Sequence, residues 1–211
     1  MVQWARPSDT VSVLARAGGS ARTYYVAREL LTEAALRAGD RVADATLAEL
    51  QRRSEAVLAR RRGLALLARA MHSRRALARK LTQGGFGAAA VEQAMARLDE
   101  LGYLDDAGYA RLWVRSRVAR GGDGRGRVLA GLLQHGISRH DAAAALDAEY
   151  PRELEAELCR KLAARLLRRY QGDRRAGERV ARHLAGRGFP GRLAFDALPG
   201  ATAAGDYAEM E

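Results

Sequence analysis

Cysteine is almost missing from this chain: Cys159 stands alone in 211 residues. One thiol excludes an internal disulfide framework and fits a reducing compartment, so a cytoplasmic location is expected. Cys159 itself reads as a small buried apolar residue in a helix. Long apolar runs are also missing. No stretch approaches the roughly 20 residues needed to cross a bilayer. The opening MVQWARPSDT lacks the apolar core of a signal peptide. No membrane partner is expected.

The signatures of catalysis are missing too. His72, His135, His140 and His183 form no HExxH pattern and no Cys/His pairing. There is no nucleophile elbow and no dinucleotide fingerprint. No catalytic residue, metal or cofactor is therefore expected, and each histidine reads as a surface or helix-end residue.

Arginine is plentiful. It supplies 34 of the 36 basic residues, and the net charge is +11. The charge is not spread evenly. Residues 57–127 carry 15 basic and 6 acidic residues, net +9. Residues 1–56 carry 8 and 7, and residues 128–211 carry 13 and 12, net +1 in each case. A compositional bias toward arginine would not concentrate net charge in this way. A basic surface on the middle segment, suited to an anionic partner such as nucleic acid, is expected.

Val11 to Arg16 alternates apolar and polar residues, Gly18-Gly19-Ser20 follows, and Thr23 to Val26 is rich in strand formers. That pattern predicts a hairpin packed on a following helix, Glu29 to Arg37, stopped by Gly39. From Asp44, a plausible N-cap, Leu47, Leu50, Leu58, Leu64, Leu67 and Met71 recur at helical spacing. They predict one long helix, or two joined near Gly63. Three successive arginines, Arg60 to Arg62, cannot share one helical face, so at least one is solvated.

The remainder repeats. Segments ending in Gly85-Phe86, Gly136-Ile137 and Gly188-Phe189 stand 51 and 52 residues apart. Five places before the apolar anchor lie Leu81, Leu132 and Leu184; nine before lie Leu77, Val128 and Val180; nine after lie Met95, Leu146 and Leu198. Each copy predicts helix, basic linker, helix, glycine turn, helix. The glycine suits a left-handed helix end, and Ser138 with Asp141 resembles a capping box. Three such copies predict a mainly α protein: an elongated, curved array of three tandem three-helix repeats with a small β-hairpin extension. The expected domains are 1–43 (hairpin and helix), 44–102, 103–150 and 151–199 (repeats), and 200–211 (disordered tail).

The densest stretch is Gly102 to Arg127. Asp105 and Asp106 are adjacent acids at a helix start, where capping and the helix dipole explain them better than chemistry does. The helix from Asp106 to Arg120 carries Tyr109 and Trp113 four residues apart, which suits a core stripe, although aromatics among arginines can also stack on bases. Arg111, Arg115, Arg117 and Arg120 lack a core explanation. Gly121 to Arg127 has no Gly-Lys-Ser/Thr ending, so it is not a P-loop; it reads as a flexible basic linker able to touch phosphate or an acidic protein surface, or else as an inert connection. Glu153, Glu155 and Glu157 after Pro151 complement a helix N-terminus.

Taken together, Ser73-Arg74-Arg75-Ala76-Leu77 with Lys80-Leu81, Gly85-Phe86, Gly102-Tyr103-Leu104-Asp105-Asp106 with Tyr109-Ala110, Arg115-Ser116-Arg117, Gly124 and Leu132 through Gly136-Ile137 resemble the RecX family of bacterial recombination regulators. The resemblance covers about Ala65 to Leu198. The acid that usually follows Ser-Arg-x in the family is Ala76 here. The resemblance implies a non-enzymatic regulator of DNA repair, homologous recombination and the SOS response. It implies a protein that binds the RecA filament on single-stranded DNA along its groove. Such a protein limits filament extension, ATPase, strand exchange and coprotease activity. The other class considered is a general DNA-binding helical regulator acting without RecA. The charge argument ranks Arg74, Arg75, Lys80, Arg111, Arg115, Arg117, Arg120, Arg125 and Arg127 as candidate contacts with RecA or DNA. Gly102, Tyr103, Leu104, Asp105, Asp106 and Tyr109 are expected to be structural. A monomer is expected.

Overall fold

A computed structural model describes residues 10–17 and 20–199. The expected glycine turn at Gly18-Gly19 and the expected tail at 200–211 lie outside the described residues. The chain forms two compact units that part between Asp105 and Asp106.

The first unit opens with β1 (Thr10–Ala17) and β2 (Ser20–Ala27), an antiparallel pair in register from Thr10 opposite Ala27 to Ala17 opposite Ser20. Its helix α1 (Arg28–Glu33) is shorter than the sequence suggests. It ends because Ala35 takes a positive φ of 53°, which breaks the helical path before Arg37 and Gly39 are reached. Then α2 (Asp44–Leu67) runs unbroken through Gly63. A Cβ at Gly63 would sit 2.8 Å from Leu98 Cδ1, the flexible tip of a core side chain. Asp44 is the first helical residue, not the cap. Ala43 is the N-cap and offers no side-chain acceptor, and Asp44 pairs with Arg22 at 3.3 Å.

Helix α2 serves two cores. Its N-terminal Leu47 and Leu50 bury with Tyr24, Val26 and Leu30 under the hairpin. The amide of Ala27 donates to buried Ser54 Oγ at 2.8 Å, and that hydroxyl donates to the Leu50 carbonyl at 2.6 Å. The hairpin is thereby tied to α2 through a satisfied polar pair. Further along, Ala59 joins Leu77, Leu81, Phe86, Val91, Leu98 and Leu104. That second core belongs to the first three-helix copy, made with α3 (Arg74–Gln83) and α4 (Ala88–Glu100).

The second unit holds copies two and three. Copy two comprises α5 (Asp106–Arg120), α6 (Arg125–Gln134) and α7 (Arg139–Glu149). Copy three comprises α8 (Arg152–Arg169), α9 (Ala176–Gly186) and α10 (Gly191–Asp196). The repeat register is the core register. Leu77, Val128 and Val180, like Leu81, Leu132 and Leu184, are all fully buried. Cys159 is buried as expected; burial, with Glu155 adding to it, pushes its thiol up to about 11.

Each second helix closes in the same way. The amides of Phe86, Ile137 and Phe189 donate to the carbonyls of Leu81, Leu132 and Leu184 at 3.1–3.3 Å. Gly85, Gly136 and Gly188 sit at φ of 91°, 82° and 82°. This is the paired closure in which a left-handed glycine folds the next apolar residue back onto the helix. Its leucine acceptor and apolar donor are both core residues, so the turn and the core are specified together.

Candidate arginine-rich interface

The turn at Gly102 is a fourth such closure. Gly102 takes a φ of 74°, and the Tyr103 amide donates to the Leu98 carbonyl at 2.9 Å. Leu104 is drawn into the core of copy one while Tyr103 stays exposed. Asp106 stands in the first turn of α5, where its charge suits the helix dipole. Tyr109 packs against the core of copy two, and its hydroxyl lies 3.3 Å from His135 Nδ1. Its phenol titrates above the ordinary range because burial, and then Asp106, disfavour the anion.

Helix α5 buries Ala110 and Val114 and turns its arginines outward. They differ in what holds them. Arg115 grips Glu149 of α7 through two bonds, Nε to Oε2 at 2.6 Å and Nη2 to Oε1 at 2.7 Å. Arg117 lies over the Trp113 indole, 4.7 Å from its centroid, and reaches Asp123 at 3.6 Å. Arg111 and Arg120 are exposed, and among the described residues no hydrogen bond or ion pair holds either side chain. Trp113 is half-buried. It packs on the core of copy two, edges onto His135 at 5.6 Å, and lies against α6 where Gly131 leaves room.

The loop after α5 is a joint, not a flexible linker. The Gly124 amide donates to the Arg187 carbonyl at 2.8 Å, and the Gly126 amide to the Gly188 carbonyl at 3.2 Å. Tyr150 donates its hydroxyl to the Asp123 carbonyl at 2.9 Å, and burial pushes that phenol upward. Arg125 turns inward. Its guanidinium donates to the carbonyls of Leu146, at 2.9 Å, and Tyr150, and pairs with Asp147. Its amide donates to buried Glu155 at 2.7 Å, so α8 supplies the cap that Gly124 cannot give α6. Arg127 reaches Asp123 at 3.5 Å and the Gly186 carbonyl at 3.2 Å.

In the first unit, Ser73 caps α3 by accepting from the Ala76 amide at 3.2 Å. Arg74 pairs with Asp99 and depresses that carboxyl, mainly through the hydrogen bond. Arg75 and Lys80 are exposed. Arg74, Arg75, Val91, Met95 and Asp99 line an open groove between α3 and α4. Among the described residues, no group of three His, Cys, Asp or Glu could hold a metal ion, and no helix is long and apolar enough to cross a membrane.

Sequence reasoning missed four residues. Glu149, Asp123, Arg187 and Glu155 hold the candidate arginines or the joint, all through contacts 30 or more residues apart or through irregular backbone. Only the glycines of the 121–127 loop hinted that backbone would approach backbone there.

Residues 59–98 match the family description "RecX, first three-helix domain", and residues 105–146 match "RecX, second three-helix domain". A regulatory protein RecX from Thermus thermophilus is 40% identical over 134 residues, covering 64% of this chain and 85% of its own length. One from Treponema pallidum is 37% identical over 107 residues, covering 51% and 65%. One from a Mycobacterium species is 33% identical over 141 residues, covering 64% and 76%. A crystal structure of regulatory protein RecX superposes with a TM-score of 0.70 at 28% identity, over 84% of this chain and 89% of that one. RecX from Lactobacillus salivarius shares the fold, with a TM-score of 0.63 at 21% identity over 71% of this chain and 97% of that one. With its three-helix copies, its glycine closures and these relatives agreeing, the chain belongs to the RecX family of regulatory proteins.

Proposed function

We propose that this protein binds the RecA nucleoprotein filament on single-stranded DNA and restrains its extension, and with it ATP hydrolysis, strand exchange and coprotease activity. The observation that carries the reading is the exposure of cationic side chains on helices of the matched family domains. Arg75 and Lys80 on α3, and Arg111 and Arg120 on α5, face solvent with no internal acid bonded to them. Cationic groups that make no internal hydrogen bond keep their donors for a carboxylate or phosphate outside the molecule. Arg74 in the first unit, and Arg115, Arg117 and Arg127 in the second, keep partly exposed side chains and are secondary contacts, each within its own unit. Arg125 contributes by holding the joint.

The reading requires no reaction by this chain. It acts by occupying a surface, so its effect should depend on its ratio to filament and should fall with salt. Filament growth on single-stranded DNA, followed by fluorescence of labelled RecA, tests it. Growth should stop early when this protein is present. Growth at an unaltered rate and to an unaltered extent would contradict the proposal.

A further inference from the structure

Asp123 receives three arginines from three helices. Arg117 comes from α5, Arg127 from α6 and Arg187 from the end of α9. Three positive charges meet one negative charge, leaving a local excess of two. The carboxylate holds them only by long contacts, the one to Arg187 a hydrogen bond, and Arg127 also donates to the Gly186 carbonyl. The Asp123 oxygens lie 3.6, 3.5 and 3.4 Å from the three guanidinium nitrogens, whereas charge-assisted bonds settle near 2.7–2.9 Å. Arg115 and Glu149, in the same unit, show what a closed pair looks like, at 2.6 and 2.7 Å.

The exposures point the same way. The Asp123 side chain is 12% exposed, while those of Arg117, Arg127 and Arg187 are 39%, 55% and 42% exposed. The acid sits at the floor, and the guanidinium groups keep donors on the solvent side. Their roots are also fixed. The bond from the Gly124 amide to the Arg187 carbonyl ties the loop to the end of α9, and a Cβ on either Gly124 or Gly188 would collide with backbone. Arg117 is further steadied on Trp113. A cradle of fixed, under-neutralised guanidinium forks is suited to a tetrahedral oxyanion, whose oxygens can accept from several forks at once.

We propose that Arg117, Arg127 and Arg187 form a phosphoryl-binding site, with Asp123 as the internal acid that spaces them when it is empty. The ligand is a phosphate group, either a phosphodiester of a single strand or free inorganic phosphate. Arg117 and Arg127 are shared with the proposed filament surface, so the phosphodiester arm rests on that reading, whereas phosphate binding by the protein alone, without RecA, is tested separately from it.

The test uses the full chain with Trp4→Phe, which leaves Trp113, beside Arg117, as the sole tryptophan. Emission is titrated with a short oligothymidylate and, separately, with sodium phosphate against sodium chloride of equal ionic strength. A saturable change is expected for at least one phosphoryl probe and not for chloride. Saturation by oligothymidylate, with phosphate competing, assigns a backbone phosphodiester; saturation by phosphate alone assigns the free anion. Arg187→Gln, which does not touch Trp113, should weaken binding about tenfold or more. Arg192→Gln removes the same charge from a 94% exposed side chain elsewhere in copy three and should change binding less than twofold if the site is local. Arg187→Lys keeps the charge without the planar fork and should fall between them, which serves if the glutamine variant is misfolded by circular dichroism. Equal losses for Arg187 and Arg192 variants, or no preference for phosphate over chloride, would overturn the proposal.

Discussion

Gly124 and Gly188 meet backbone to backbone. A Cβ on Gly124 would stand 2.5 Å from the Gly188 carbonyl carbon, and a Cβ on Gly188 would stand 2.4 Å from the Arg127 amide nitrogen. Copies two and three are therefore joined through main chain at a point where any side chain is a wedge. Gly124→Ala is expected to destabilise the second unit by about 1–3 kcal/mol, the usual cost of overpacking where neither neighbour can retreat. Urea unfolding followed by Trp113 emission, again with Trp4→Phe, measures it. An unchanged midpoint would show that the joint opens freely.

Two helical glycines should respond differently to the same change. Glycine inside a helix costs roughly 0.8–1 kcal/mol relative to alanine, so Gly→Ala gains that much before any clash is counted. At Gly63 the new methyl meets the far end of Leu98, which can rotate away. At Gly131 it would lie 2.4 Å from the rigid Trp113 indole. Gly63→Ala should be near neutral, while Gly131→Ala should destabilise and shift Trp113 emission to the red as the ring is pushed into solvent. Equal effects at the two sites would contradict the packing.

The Arg115–Glu149 clamp carries a pH dependence. The hydrogen bond from Arg115, with its charge, holds Glu149 below its ordinary value of 4.5. A depressed acid stabilises the folded state above its unfolded pKa, and that contribution is lost as pH falls through the lowered folded value. The stability gap between the parent protein and Glu149→Gln should therefore be constant above pH 4.5 and close on further acidification. A gap that widened on acidification would reverse the sign. Arg115 is 64% exposed and Glu149 only 14%, so solvent screens one end of the pair and the full gap should be modest.

Charge reversal separates contact from scaffold. Arg111→Glu with Arg120→Glu changes two exposed residues that make no hydrogen bond or ion pair among the described residues, although the Arg111 charge helps to lower Glu149, so helicity should be kept and melting should fall only slightly. The concentration needed for half-maximal restraint of RecA should rise by about tenfold. Arg125→Glu should act the other way, destabilising the second unit by losing its bonds to Leu146, Tyr150 and Asp147. If the double reversal left the half-maximal concentration unchanged, α5 would not be the contact surface.

The three-copy plan was legible because core and turn repeat together. Leu81, Leu132 and Leu184 are both fully buried positions and the acceptors of the glycine closures, so one periodic signal reports both. The single long α2 was less legible. Its apolar residues serve two cores, Leu47 and Leu50 for the hairpin and Ala59 for the bundle, which blurs any one stripe. The fate of each arginine was not legible. Arg111 and Arg115 look alike in sequence and sit on one helix, yet Arg115 is clamped because Glu149 stands 34 residues away on α7. The loop at 121–127 looked mobile because it is rich in glycine. Those glycines instead permit the close approach of Arg187 and Gly188.

The most direct test of the central claim is the steady-state ATPase of RecA on single-stranded DNA, titrated with this protein. Hydrolysis should fall as the protein is added, at concentrations below that of RecA, and added salt should relieve the effect. ATP hydrolysis unchanged at a molar excess over RecA would contradict it.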